Sequence, residues 1–361
     1  MSETLSKFTH ILEALEDYDQ PFPPRMLRSF SDLSQLQMHE FKDVWPRIKP
    51  ERKVSLLEDL EEIAETDTLV CFDELAKYSL TDENPAVRVL SIRLLWDCEE
   101  TRLISRYIEM MQSDPAEDVR AAAASALGKF VLMGELETIT DNLRDSSLQK
   151  LIDVTEGNDL PMVRRRALES LGYSSHPKVS ELILKAVEQD ETLWVTSALY
   201  AMGRSSDEKW SDTILNYFDS KDSEVLFEAI RAAGELELEE ARDLLMDKLD
   251  EVDDDPNLRI AIIWSLSQIG GDAVKKKLEE LAEKCTDDDE SEWLEKAIDN
   301  LELDAQLDSM EMIDFEPTNK DDLDEEDDLL DLDHLDEDGD EEELLDENDM
   351  DDIPDENEDD N

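Results

Sequence analysis

The chain has 361 residues, with 99 acidic against 35 basic side chains and a formal net charge of −64. So acidic a molecule lacks the positive footprint that phosphate backbones need, which argues against duplex DNA or RNA as a direct ligand. It has no run of about 18 apolar residues to span a membrane, and nine glycines are few for a sheet-and-turn protein or a phosphate-cradling loop.

In chain order, residues 1–30 read as a short amphipathic helix (Leu5, Phe8, Ile11, Leu12, Leu15) and a linker broken by Pro21, Pro23 and Pro24. Residues 31–68 read as a degenerate capping pair of helices, parted by Pro46 and Pro50. Six regular helix pairs follow over residues 69–303. Residues 304–361 read as a disordered acidic tail. Its last 41 residues, 321–361, hold 26 acidic side chains and no Lys or Arg, so self-repulsion opposes ordering. Residues 1–301 are acidic as well, with 67 acidic and 34 basic side chains, a net of −33.

The repeats declare themselves through one apolar position: Val87, Val119, Val163, Trp194, Val225, Leu258 and Trp293, spaced by 32, 44, 31, 31, 33 and 35 residues. Offset one carries Arg88, Arg120, Arg164 and Arg259 in four units. Offset four is small or apolar, as in Ala123, Ala167, Ala198 and Ala229, and offset eight is apolar, as in Leu95, Leu127, Leu171 and Leu266. Offsets 0, 4 and 8 share one stripe of a helix, so each unit is predicted to bury a helix face. Gly128, Gly172, Gly203 and Gly234 at offset nine suit left-handed helix caps, while unit one has Trp96 there. Asp82, Asp114, Asp159, Asp190, Asp222 and Asp255 are candidate N-caps, several with a proline close behind. The 44-residue interval carries a surplus around Ser146–Gly157, read as a lengthened packing helix.

The runs Asp118-Val119-Arg120 to Ala126-Leu127-Gly128 and Val163-Arg164 to Ser170-Leu171-Gly172 resemble the HEAT repeat family, in the subclass also seen in phycobilin lyases. The resemblance covers about residues 69–303 and implies an all-α fold, an α-solenoid of stacked antiparallel helix pairs. It also implies that Arg88, Arg120, Arg164 and Arg259 form a ladder, each pairing with an aspartate of the adjacent repeat. Deoxyhypusine hydroxylase, a HEAT-like enzyme, uses several His-Glu pairs as iron ligands, and here His39-Glu40 stands alone.

No other catalytic or metal-binding motif is present, so the expectation is a protein that is not an enzyme and carries no cofactor. The basic runs Arg164–Arg166 and Lys275–Lys277 point their side chains in different directions along a helix and make no single patch. In the tail, Leu329, Leu330, Leu344 and Leu345 punctuate the acidic residues, a pattern suited to folding onto a basic, grooved partner. Three well-separated cysteines, Cys71, Cys98 and Cys285, fit reduced thiols, and the first residues lack the pattern of a secretory signal. The composite reading is a cytoplasmic, monomeric scaffold or adaptor that binds a basic protein. The alternative is a subunit of a lyase-type or other modifying enzyme.

Overall fold

The computed structural model describes residues 2–252 and 254–311, with side chains for residues 8–252 and 254–303. The tail expected from the sequence beyond residue 311, with Leu329, Leu330, Leu344 and Leu345, lies outside the described residues.

Helix α1 (Ser2–Glu16) and a 3-10 segment (Pro24–Phe30) precede eight antiparallel pairs. These are α2 (Gln35–Val44) with α3 (Pro50–Thr66), α4 (Asp73–Ser79) with α5 (Pro85–Leu94), and α6 (Arg102–Ser113) with α7 (Glu117–Glu135). Next come α8 (Asp141–Glu156) with α9 (Pro161–Leu171), and α10 (Pro177–Val187) with α11 (Thr192–Gly203). The last are α12 (Ser211–Leu215) with α13 (Ser223–Glu235), α14 (Arg242–Glu251) with α15 (Pro256–Ile269), and α16 (Asp272–Ala282) with α17 (Asp288–Glu311). There is no strand among the described residues. The second helices stack in one row, α3 on α5 and onward to α15. The fold is an all-α, HEAT-like solenoid, and seven pairs rather than six follow residue 69.

The stripe at offsets 0, 4 and 8 is what holds the row together. Val87, Val119, Val163, Ala123, Ala167, Ala198, Ala229, Leu127, Leu171 and Leu266 are all buried. Trp293 departs from it: the buried residues of the last unit are Leu294, Ala297 and Leu301, and Trp293 is half-exposed. Two adjacent apolar residues left the register of that helix ambiguous in the sequence. The long interval resolves into long helices, 19 residues in α7 and 16 in α8.

Two local expectations need correction. The glycines at offset nine are not left-handed caps; among the described residues, positive φ at glycine occurs only at Gly270 and Gly271. They are close-approach sites instead. A Cβ on Gly172 would lie 2.7 Å from Cα and O of Ala201, and one on Gly234 would lie 2.7 Å from Cα of Ser265. Gly203 meets Ala232 and Gly128 meets Ser170 in the same way, always at offset seven of the next unit. Where offset seven is serine, its hydroxyl donates back across the junction, Ser170 to the Ala124 carbonyl (2.8 Å) and Ser265 to the Ile230 carbonyl (2.9 Å). As for the aspartates, Asp222 and Asp255 cap α13 and α15. Asp82, Asp114 and Asp159 sit earlier in their loops, where one oxygen of each accepts a loop N–H, from Asn84, Ala116 and Leu160.

The apolar core forms two clusters. One runs from Phe8 to Leu90, the other from Ala76 to Leu301, and Leu94 packs against both. The first is aromatic: Phe30 lies 6.0 Å from Phe8 and 6.2 Å from Phe41, whose ring is 4.8 Å from Trp45. The stretch read as a Pro-rich linker contributes buried Phe22, Leu27 and Phe30 to it. No helix among the described residues is long and apolar enough to cross a membrane.

Candidate functional site

The first turns of the second helices α5, α7, α9 and α15 carry the arginines singled out by the sequence. Arg88 grips both carboxylate oxygens of Asp114, at 2.8 and 2.6 Å, and donates to the carbonyls of Asp82 and Glu83. Arg120 grips Asp159 in the same way, at 2.8 and 2.7 Å. Its hydrogen bonds hold the Asp159 carboxyl below the usual range. Arg259 takes Glu290, not an aspartate, at 3.0 and 2.6 Å. Arg164 departs from the expected pairing: it donates to the Thr155 carbonyl (3.0 Å) and lies 5.2 Å over the ring of Trp194.

Two further ties join the repeats. Asp82 accepts from Lys53 (2.6 Å) and from the Trp45 indole (2.8 Å), and Asp222 accepts from the Thr192 hydroxyl (2.7 Å). The signal was present, since Asp82 and Asp114 both stand six residues before an arginine of the ladder. All of these contacts consume charge inside the stack and leave little for a ligand.

A different arrangement lies on the row of second helices, between α9 and α17. The Arg204 guanidinium sits 5.6 Å from the Tyr173 ring and 5.1 Å from the Tyr200 ring, and Arg231 sits 5.0 Å from Tyr200. Glu235 joins the two arginines: it accepts from Arg231 Nη2 at 2.6 Å, and its other oxygen lies 3.0 Å from Arg204 Nε without hydrogen-bond alignment. Glu228 lies 3.7 Å from Arg231 Nε, with one oxygen that accepts no hydrogen bond. Burial pushes its carboxyl up to about 7, against the pull of Arg231. Next to this cluster a cavity of about 470 Å³ is walled by Phe227, Ile260, Trp264 and Trp293, with Arg204 and Arg231 at its edge. Aromatic walls and a guanidinium edge can seat an apolar side chain of another molecule.

Burial raises the Cys98 thiol to about 11 and also raises Cys71, which keeps both protonated near neutrality. Among the described residues no group of three or more His, Cys, Asp or Glu side chains could hold a metal ion. The basic runs are spent locally: Arg166 on Glu169, Lys275 on Glu302, Lys276 on Glu280 and Lys277 on Asp250.

The family description of HEAT repeats matches residues 72–149 and 211–299. Among solved structures, the chain is similar to the complex of CpcE and CpcF of phycocyanin lyase from Nostoc sp. PCC7120. There the identity is 20%, the TM-score 0.43, and the match covers 63% of this chain and 94% of the other. It is also similar to human deoxyhypusine hydroxylase in complex with glycerol, at 15% identity and a TM-score of 0.31, over 74% of this chain and 97% of that one. Neither likeness bears on activity. Among curated proteins, none matches the chain. The two matched stretches, built of the helix pairs described above, resemble HEAT repeats.

Proposed function

We infer that this chain is a non-enzymatic scaffold or adaptor that docks a basic protein partner. One observation carries the reading: residues 1–301 hold 67 acidic and 34 basic side chains, and within the densest basic runs Arg166, Lys275, Lys276 and Lys277 are already tied to carboxylates of the same stack. What remains for a partner is carboxylate in surplus, which steers a cationic surface into contact and makes the encounter sensitive to salt. The acidic residues 321–361 reinforce that field, and their leucines supply apolar anchors for a groove on the partner. The cavity at Trp264 and Trp293 supplies an apolar anchor point on the stack itself. The protein acts as a monomer in the cytoplasm, a compartment that suits its three free cysteines.

The test is affinity capture from native lysate with three proteins: the full chain, residues 1–320, and the full chain with Leu329, Leu330, Leu344 and Leu345 changed to serine. The expected result is a basic partner held by the full chain at low salt, released at high salt, and recovered less well by the other two. A partner set no more basic than the lysate and indifferent to salt overturns the reading.

A further inference from the structure

Trp96 stands where four other units carry glycine. In those units the residue at offset nine is buried against the next helix. Unit one solves the same position differently. Helix α5 stops at Leu94, the Trp96 N–H bonds to the Arg93 carbonyl in a turn, and the indole is left 52% exposed. The turn is anchored, since Lys129 of α7 donates to the carbonyls of Trp96 (2.5 Å) and Cys98 (2.6 Å). A pinned backbone therefore presents the largest side chain at a position where the stack elsewhere needs the smallest.

Beneath it is a cavity of about 310 Å³ between α3 and the end of α5. Its floor has Ala64 and Leu94, and its polar wall has Glu61, Glu65 and Asp97 against one cation, Arg93. Arg93 is committed to Glu61 at 2.6 Å, and among the described residues neither Glu65 nor Asp97 has a cation in ion-pair range, although the Lys129 ammonium feels the charge of Asp97. An aromatic face, an apolar floor and two exposed carboxylates meet the needs of one kind of side chain. A long aliphatic stem covers the floor, and a cationic head lies over the indole within reach of the carboxylates. An acidic or purely apolar group gains from only part of this arrangement.

We propose that the Trp96 cavity is a docking site for a lysine or arginine side chain of the basic partner. The proposal rests on the function inferred above and gives that partner a fixed anchoring point on the repeat stack.

The test uses the full chain and a short fluorescein-labelled peptide of alternating lysine and glycine, with its lysine-acetylated counterpart as control. Binding is followed by anisotropy for the wild type, Trp96→Ala, Trp96→Phe and the double variant Glu65→Gln/Asp97→Asn. Because these side chains are at the surface, circular dichroism should be the same for all four. The expected result is binding weakened about fivefold by Trp96→Ala, similarly by the double variant, and largely kept by Trp96→Phe, with no binding of the acetylated peptide. Equal binding by wild type and Trp96→Ala overturns the docking site while the wider acidic reading stands. Failure of the lysine peptide to bind any of the four overturns both.

Discussion

Arg88 and Arg164 occupy the same offset in their repeats, yet they tie their neighbours in different ways. At the junction of α5 and α7, Arg88 makes a two-toothed contact with Asp114. At the junction of α9 and α11, Arg164 pairs with no carboxylate among the described residues and rests on the ring of Trp194. The loops explain the difference. Asp114 is extended (φ −64°, ψ 134°) ahead of Pro115 and aims its carboxylate back at the arginine. Asp190 closes the end of α10 in a left-handed conformation (φ 51°) and is exposed. Trp194, standing where three preceding units have valine, takes over the guanidinium. A repeat offset thus fixes where the arginine stands, and loop conformation decides what it holds.

The largest expected effect separates these two rungs. Arg88→Ala leaves the Asp114 carboxylate, 9% exposed, without its cation and should cost about 3 kcal/mol in urea unfolding. Arg164→Ala strands no charge and should cost about 1 kcal/mol. Equal costs would break the comparison. A second variant sharpens it at the α9–α11 junction, where the helices touch backbone to backbone. Gly172→Ala gains helix propensity but drives a methyl group to 2.7 Å from Ala201, for a net loss of about 2 kcal/mol. Gly203→Ala, at 3.0 Å from its neighbour, should lose less in the same urea titration. The smallest effect lies one junction further on, at Glu228, which faces Arg231, Glu235, Glu169 and Arg204. Its pKa is higher in the folded state (about 7) than in the unfolded chain (4.5), so its contribution to stability is full below pH 4.5 and lost as pH rises through 7. Glu228→Gln should therefore be close to neutral at pH 4.5 and stabilising by on the order of 1 kcal/mol at pH 8, as read from melting curves at the two pH values.

The stack was legible in the sequence because its stripe at 0, 4 and 8 is a one-dimensional signal: Val119, Ala123 and Leu127 must share a face whatever lies opposite them. What failed to show was whatever depends on the neighbour. Gly172 near the end of a helix reads equally as a cap or as a contact, and only the arrival of Ala201 decides. Trp293 and Leu294 are adjacent and both apolar, so the sequence could not tell which faces inward. The arginines were found by their offset, but Glu290 and Trp194 as their partners follow from loop geometry. The Tyr200, Arg204, Arg231 and Glu235 cluster left no trace in the sequence, since its members come from two helices and look in isolation like ordinary surface residues. Trp96 was visible as a departure from glycine, and its meaning required the cavity beneath it.

The contact of offset nine with offset seven has a consequence for how such an array can change in length. The tightest approach to every glycine in the series is made by an alanine or a serine. Excising residues 194–224, one 31-residue period, would set Gly172 against Ala232 in place of Ala201. The new seam would have the same steric character as the old one. Duplication or loss of a whole period is therefore silent at the backbone seam, whereas an error of half a period would bring the wrong helix against the glycine. The array has the grammar of a ruler with interchangeable divisions, able to lengthen or shorten in steps of one helix pair.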